Sequence, residues 1–425
     1  MITSRFSNQS MFALIPRLSV LIAALVYCSD VLLRVSPGVL ADQLISHYQI
    51  NQTAFSNLSA AYFYVYAPMQ MPVGILMDRY GPRHLLFASA LCCALGAALF
   101  TATHVYLVAF IARLLIGFGS SFAFVGIMKL ATLTLPAKRF ALVSGSTMAL
   151  GMIGGLIGDQ VLKHFLISGA WQQFMTNIAC FMAVIGLMIF ASAPNLNERV
   201  SDHVQNRRSM KTVFKETWLL IKNKELIRAA LIACLMYTPL TWFAEYLGKS
   251  YLTLALNIKF EHATDLNDLI FIGWAIGGLT VTSLSDRIQS RRVPIITGAL
   301  VSFGLSLLIL YQTGIPYTGL CVLMVIFGIA NSVQVLAFPV AKELSKTHLQ
   351  ATAMCFINMI CMLSGNLQVV LGMLLDYVHS LTSMSDNQSL SLLDYQIVFG
   401  LLPMALLLSA FVAYRMKETF PVNDD

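Results

Sequence analysis

From about residue 16 onward the chain alternates between long apolar runs and short polar ones. The apolar runs fall at about 16–40, 53–77, 83–103, 105–130, 138–163 and 170–192, then at 226–252, 265–285, 293–313, 317–341, 349–376 and 394–415. Roughly twenty helical residues, rising 1.5 Å each, cross a ~30 Å hydrocarbon layer. Helices are the expected form because backbone polar groups in lipid must be satisfied within their own segment. The pattern therefore predicts an all-α membrane protein of twelve transmembrane helices. Between the sixth and seventh runs lies a polar stretch, Pro194 to Lys224, with Arg199, Arg207, Arg208, Lys211 and Lys215. It divides the chain into a first six-helix bundle (1–193), a linker (194–224) and a second bundle (225–425). The run from Leu18 to Leu40 holds Asp30 and Arg34 and lacks a small-residue cleavage site, so a retained span is expected rather than a signal peptide.

Composition agrees with this reading and narrows it. Hydrophobic residues make up 57% of the 425 positions and charged ones 11%, against ~25% charged in soluble proteins. The net charge of +7 does not indicate nucleic acid, because the basic residues sit in short clusters between apolar runs. With the N-terminus placed in the cytoplasm, all but five of the 27 Lys and Arg fall in the tails and the loops on that side. The exceptions are Arg34, Arg113, Lys163, Lys249 and Lys259. This bias predicts cytoplasmic N- and C-termini. The eight cysteines form no CxxC pair and are expected to pack as buried free thiols, without a metal or other cofactor.

The two halves echo each other. The second-to-third turn reads Gly74-Ile-Leu-Met-Asp78-Arg79-Tyr-Gly81-Pro-Arg83, and the eighth-to-ninth reads Asp286-Arg287-Ile-Gln-Ser-Arg291-Arg292. Each places an Arg directly after an Asp and another five residues beyond it. Two related bundles suit a carrier that rocks about a central site. The first of these motifs, with Arg113-x-x-x-Gly117-x-Gly119 in the fourth run, resembles the major facilitator superfamily over essentially the whole chain. The resemblance implies the major facilitator fold of two pseudo-symmetric six-helix bundles. It also implies a gate built from Gly74, Asp78, Arg79, Arg83, Asp286, Arg287 and Arg291. Gly145, Gly151, Gly154, Gly155 and Gly158 resemble the glycine-rich antiporter motif, whose Gly-Pro pair is absent here. A narrower likeness, carried by Tyr27 to Pro37, Tyr62 to Gly74 and Phe243 to Gly248, is to the phagosomal nutrient transporters of intracellular bacteria. The membrane this resemblance implies is a bacterial inner membrane.

A few polar groups inside the runs are candidates for transport, since an intramembrane charge costs at least ~2.5 kcal/mol unless paired or hydrated. Asp30 and Arg34 stand four apart and can pair on one helical face. Either they form a fixed ion pair, or Arg34 clamps a substrate carboxylate with Asp30 as counter-charge or ammonium ligand. Arg113 is expected to face the same cavity. Tyr62, Tyr66 and Gln70 make one stripe on the second run. Trp242, Asn331 and Asn358 are further candidate substrate contacts, and Gln334 and Gln368 could add polar contacts. Glu245, four residues before Lys249, is the leading proton-coupling candidate and Asp30 the second, because a carboxyl drawn out of water retains a proton that it yields when rewetted. The alternative is an interfacial Glu245–Lys249 pair.

These features predict a monomeric, non-enzymatic secondary transporter whose partners are a small solute, protons and lipid. It would import a small polar, carboxylate-bearing nutrient such as an amino acid or short peptide by proton symport. A siderophore or drug carrier and a non-transporting sensor are the alternatives. No Walker A motif is present to couple ATP.

Overall fold

The computed structural model describes residues 3–134, 140–194, 222–312, 314–345, 349–382 and 390–420. All regular structure among them is helical. The first half contains α1 (Thr3–Val39), the short α2 (Ala41–Tyr48), α3 (Gln52–Tyr80), α4 (Pro82–Ala102), α5 (Tyr106–Ser120), α6 (Ala123–Thr134), α7 (Phe140–Ile167) and α8 (Trp171–Ser192). The second contains α9 (Lys224–Thr238), which runs through π-helical turns at Pro239–Leu247 into α10 (Gly248–Leu256). It continues with α11 (Phe260–Ile288), α12 (Arg292–Tyr311) and α13 (Tyr317–Asn331), a 3₁₀ segment Ser332–Leu336, and α14 (Ala337–Glu343). The last four are α15 (Gln350–Asn366), α16 (Gln368–Thr382), α17 (Leu392–Phe399) and α18 (Leu401–Arg415).

Ten stretches among the described residues are long and apolar enough to cross a membrane. The helices α3, 29 residues long, and α7, 28 residues long, fall at the second and fifth expected spans. Much of the outer surface is greasy: Leu21, Leu95, Leu107, Leu279 and Met404 are each 60% or more exposed. Such a surface is stable against lipid tails, which are as apolar as these side chains. Cys180 is also exposed, so the expectation of buried thiols fails there, on a face turned to lipid.

Local sequence sets the helix ends. Asn51 accepts from the Ala54 amide at 2.9 Å to start α3, and Ser391 and Asp394 form a reciprocal capping box at α17. Gly81, at φ 78°, ends α3 and hands over directly to Pro82 at the start of α4. That positive φ suits glycine, which gives Gly81 in the motif a backbone reason to be there.

Within the first half α4 packs on α5 and α8, and α1 on α7; within the second α11 packs on α13, α12 on α18, and α9 on α15. Three seams join the halves: α3 against α15 and α16, α7 against α11, and α1 against the π-helical turns. Hereafter the tail side is the end of the bundle near residues 80 and 290, and the far side the end near residues 48 and 257. The seams are closed toward the far side. There the Thr53 amide and hydroxyl both donate to Asp376 across α3 and α16, at 2.7 and 2.5 Å.

Candidate substrate site

Proline placement begins the site. Pro37 has no N–H, so the Leu33 carbonyl four residues back loses its helical partner. Arg113 of α5 donates Nη1 to that carbonyl at 2.7 Å and Nη2 to the carbonyls of Ser59 (3.3 Å) and Arg34 (3.5 Å). It is 1% exposed and lies over the Tyr62 ring at 5.5 Å. Arg113 is thus occupied with bracing backbone, and it holds the turn of α1 that carries Arg34.

Arg34 reaches across the seam. Its Nη2 donates to Glu245 Oε1 at 2.7 Å, with both side chains under 5% exposed. Gly38 permits the approach, because a Cβ there would sit far inside contact distance of the Glu245 carbonyl oxygen. Glu245 lies within the π-helical turns that follow Pro239, whose missing N–H leaves the Leu235 carbonyl to the Thr238 hydroxyl at 2.7 Å. Such turns widen a helix and often mark functional sites. The Arg34–Glu245 contact is incompletely satisfied, since Arg34 Nε and Glu245 Oε2 have no hydrogen-bond partner among the described residues.

The expected partnerships are therefore corrected. Asp30 does not pair with Arg34; it accepts from the Cys93 thiol at 3.3 Å, and its Oδ2 has no partner among the described residues. Glu245 does not pair with Lys249, which instead meets Asp159 of α7 at 2.6 Å. Neither is interfacial: Glu245 is 2% and Lys249 1% exposed. Spacing of four residues identifies groups that share a helix face, but in each case a partner on a facing helix won.

Of the other expected contacts, Tyr62 and Tyr66 lie within electrostatic reach of Arg34. Tyr62 and Tyr66 stack at 5.1 Å, and Gln70 Oε1 accepts from Asn358 Nδ2 at 2.8 Å, joining α3 to α15. Trp242 donates Nε1 to the Ser364 carbonyl at 2.8 Å, while Gln368 reaches the Thr241 carbonyl and Ser59. Asn331 turns its amide onto its own helix at Phe327, with Oδ1 unpartnered among the described residues, and Gln334 donates to Cys361. Tyr27 and Tyr237 lie with Tyr62 within electrostatic reach of Arg34. They stand one at each side of the seam, in α1 and α9, and their place in charged, proline-marked spans was the signal available for them.

The gate motifs are described only in part. The side chains of Asp78 and Arg79 lie outside the described residues, as does most of the linker. At Gly74 of the first motif a Cβ would meet nothing within 4 Å among the described residues, so no close helix contact there requires a glycine. Arg83 stacks over Phe190 at 4.7 Å. In the second copy Arg291 bonds Asp286 at 2.6 Å and Glu343 at 2.9 Å, and Arg287 is exposed.

Two matched half-bundles, closed on a buried interhelical Arg–Glu pair, describe a carrier more readily than an enzyme. Residues 20–368 match the sequence profile of the Major Facilitator Superfamily. The chain belongs to that superfamily. It is 22% identical over 276 residues to AraJ of Escherichia coli (strain K12), named as a putative transporter, covering 64% of this chain and 66% of that protein. It is 21% identical over 305 residues to SauU of Cupriavidus necator, named as a probable sulfoacetate transporter, covering 67% and 69% respectively. The fold matches a crystal structure of the nucleoside transporter NupG with a TM-score of 0.71 at 15% identity, over 94% of this chain and 98% of that one. This member of the superfamily is an integral membrane transporter of small molecules and not an enzyme.

Proposed function

We propose that this transporter imports a small, polar, carboxylate-bearing solute by symport with protons, with Arg34 as the clamp and Glu245 as the coupling carboxyl. The observation that carries the reading is the half-satisfied Arg34–Glu245 bridge. Arg34 spends one bond on Glu245 and keeps an unpartnered Nε among the described residues. A planar guanidinium can take a carboxylate through two donors. An entering substrate carboxylate therefore competes with Glu245, and the displaced Glu245 takes a proton to avoid standing buried and charged.

The stacked Tyr62–Tyr66 pair, Gln70 with Asn358, and Trp242 supply apolar faces and amides for the rest of the solute. Asp30 is the second carboxyl available to a proton or an ammonium group. Arg113 acts through α1 by fixing the turn that presents Arg34. SauU's named cargo is itself a small anion, in keeping with a cationic clamp. The halves 1–193 and 225–425 rock against each other, and the Asp78–Arg83 and Asp286–Arg291 turns form the gate on a cytoplasmic tail side. The protein works as a monomer in a bacterial inner membrane.

The test is uptake into proteoliposomes of small carboxylates, amino acids, dipeptides and nucleosides, with and without an inward proton gradient. Carboxylate-bearing solutes accumulate only with the gradient, and Arg34→Ala, still monodisperse, loses that accumulation. Uptake confined to nucleosides, or full carboxylate uptake by Arg34→Ala, overturns the reading.

A further inference from the structure

One turn beyond Glu245, toward the far side, lies a second buried cluster that the substrate site does not use. Lys249 of α10 meets Asp159 Oδ2 of α7 at 2.6 Å. Asp268 of α11 lies within hydrogen-bonding reach of Asp159, and Gln160 of α7 donates to Asp268 Oδ2 at 2.6 Å. Asp159 is 0%, Lys249 1% and Asp268 2% exposed. At the outer edge Gln160 also donates to Asp265 at 2.9 Å, and Lys163 pairs with Asp265 at 2.5 Å, where water reaches.

The charges do not balance. The dry part holds two carboxyls against one ammonium, and the outer Lys163 is already matched by Asp265. Glu245, the next charged group on that helix, is committed to Arg34. From α11 the other groups are Asn267, which donates to the Ala244 carbonyl, and His262 beside Asp265 at the exposed end. The packed face of α13 brings no charged residue at all. Asp159 Oδ1 and Asp268 Oδ1 receive no hydrogen bond from any donor among the described residues. Two carboxyls facing each other, each with an idle oxygen, are a site for one shared proton, since two like charges cannot both ionise there.

We propose that Asp159, Asp268 and Lys249 form a proton-binding latch that closes the far-side gate only after taking up one proton from the far-side solution. The cluster spans the seam, with Asp159 in the first half and the other two in the second. Separating α7 from α11 wets both carboxyls and frees the proton. Closing them without it traps one uncompensated negative charge, which is costly in a dry interior. The latch rests on alternating access alone and needs no particular cargo, although Glu245, one turn away, feels the charges of Asp159 and Lys249.

The test needs no substrate. Paired non-cysteine spin labels at Ser168 and Lys259, at the far ends of α7 and α11, report the opening by dipolar distance measurement in nanodiscs at matched pH on both sides. The wild-type ratio of open to closed gate rises with pH, by up to about tenfold per unit through the transition, the slope of a single linked proton. Asp268→Asn and Asp159→Asn each leave one acid against Lys249 and keep the gate closed at every pH. A wild-type ratio that ignores pH, or variants that retain the wild-type slope, overturns the latch. Neither result touches carboxylate uptake through Arg34, and a transporter with a different cargo would still show the slope.

Discussion

Arg34 and Arg291 are both largely buried arginines bonded to carboxylates, yet the structure treats them in opposite ways. Arg291 is used completely: Nε and Nη2 go to Glu343 at 3.0 and 2.9 Å, Nη1 goes to Asp286 at 2.6 Å and Ser285 at 3.0 Å, and its face covers Phe420 at 4.9 Å. All of these partners belong to the second half. Arg34 makes one bond to the opposite half and leaves atoms idle on both sides of it. A charge that stays in one arrangement is best satisfied fully, while a charge that must change partners is better held by few bonds. The satisfied arginine is architecture, and the underused one has the geometry of a site.

Substitutions at the two positions sharpen the contrast. Arg34→Ala removes the clamp and is expected to abolish carboxylate accumulation, at least about a hundredfold, as is typical when one partner of a buried charge pair is lost. Proteoliposome flux at a fixed proton gradient measures it. Accumulation by Arg34→Ala at a level near that of wild type would erase the distinction. Glu245→Gln comes next: the clamp remains but the exchangeable proton is gone. Downhill flux should persist while its acceleration by an inward proton gradient disappears, and an unchanged gradient dependence would move coupling to Asp30.

Gly38→Ala attacks the crossing on which the Arg34–Glu245 bond depends. The added Cβ would collide with the Glu245 carbonyl oxygen, and backbone cannot yield as a flexible side chain does. An overpacking cost of ~1–3 kcal/mol follows, borne by the closed form. A lower melting temperature in detergent, together with slower flux, is the expected outcome. Arg291→Ala should cost about 1 kcal/mol, chiefly by leaving the mostly buried Glu343 without its partner, since the half-exposed Asp286 falls back on water. Its loss should show as reduced melting temperature, and it should be relieved in part by Glu343→Gln.

Much of this was legible from the chain. The apolar runs located the spans because only helices close their own hydrogen bonds in lipid. The Asp-to-Arg spacing at Asp286 and Arg291 became a real ion pair, since a tight turn brings residues five apart together. What could not be read was partnership across helices. Arg34, Glu245 and Lys249 stood out as intramembrane charges, but their partners are 211 residues away for Arg34 and on α7 for Lys249. Asp268 was overlooked because 253–264 reads as a loop and the polar residues after it look like its margin, whereas α11 begins at Phe260 and carries Asp268 into the seam. The π-helical turns leave no signature in spacing beyond Pro239, yet they are what aims Glu245 inward.

The mildest test concerns the tail that covers Arg291. Glu418 accepts from the Ser290 hydroxyl at 2.5 Å and from the Arg291 and Arg292 amides at 2.8 and 3.2 Å. Partial burial works against its charge, but these hydrogen bonds outweigh burial and hold its pKa down at about 2, from 4.5. A depressed carboxyl stabilises the native form above its unfolded pKa, and that contribution is lost as the pH falls from about 4.5 toward 2. The tail should therefore loosen first in acid, seen as faster amide exchange at 416–420 while the spans stay protected. Glu418→Gln should give the loosened tail already at neutral pH with little change in melting, because an exposed latch is worth at most ~1 kcal/mol. If the variant instead unfolded the bundle, the tail-side cluster would be holding the second half together, and the contrast with Arg34 would have to be drawn by position rather than by strength.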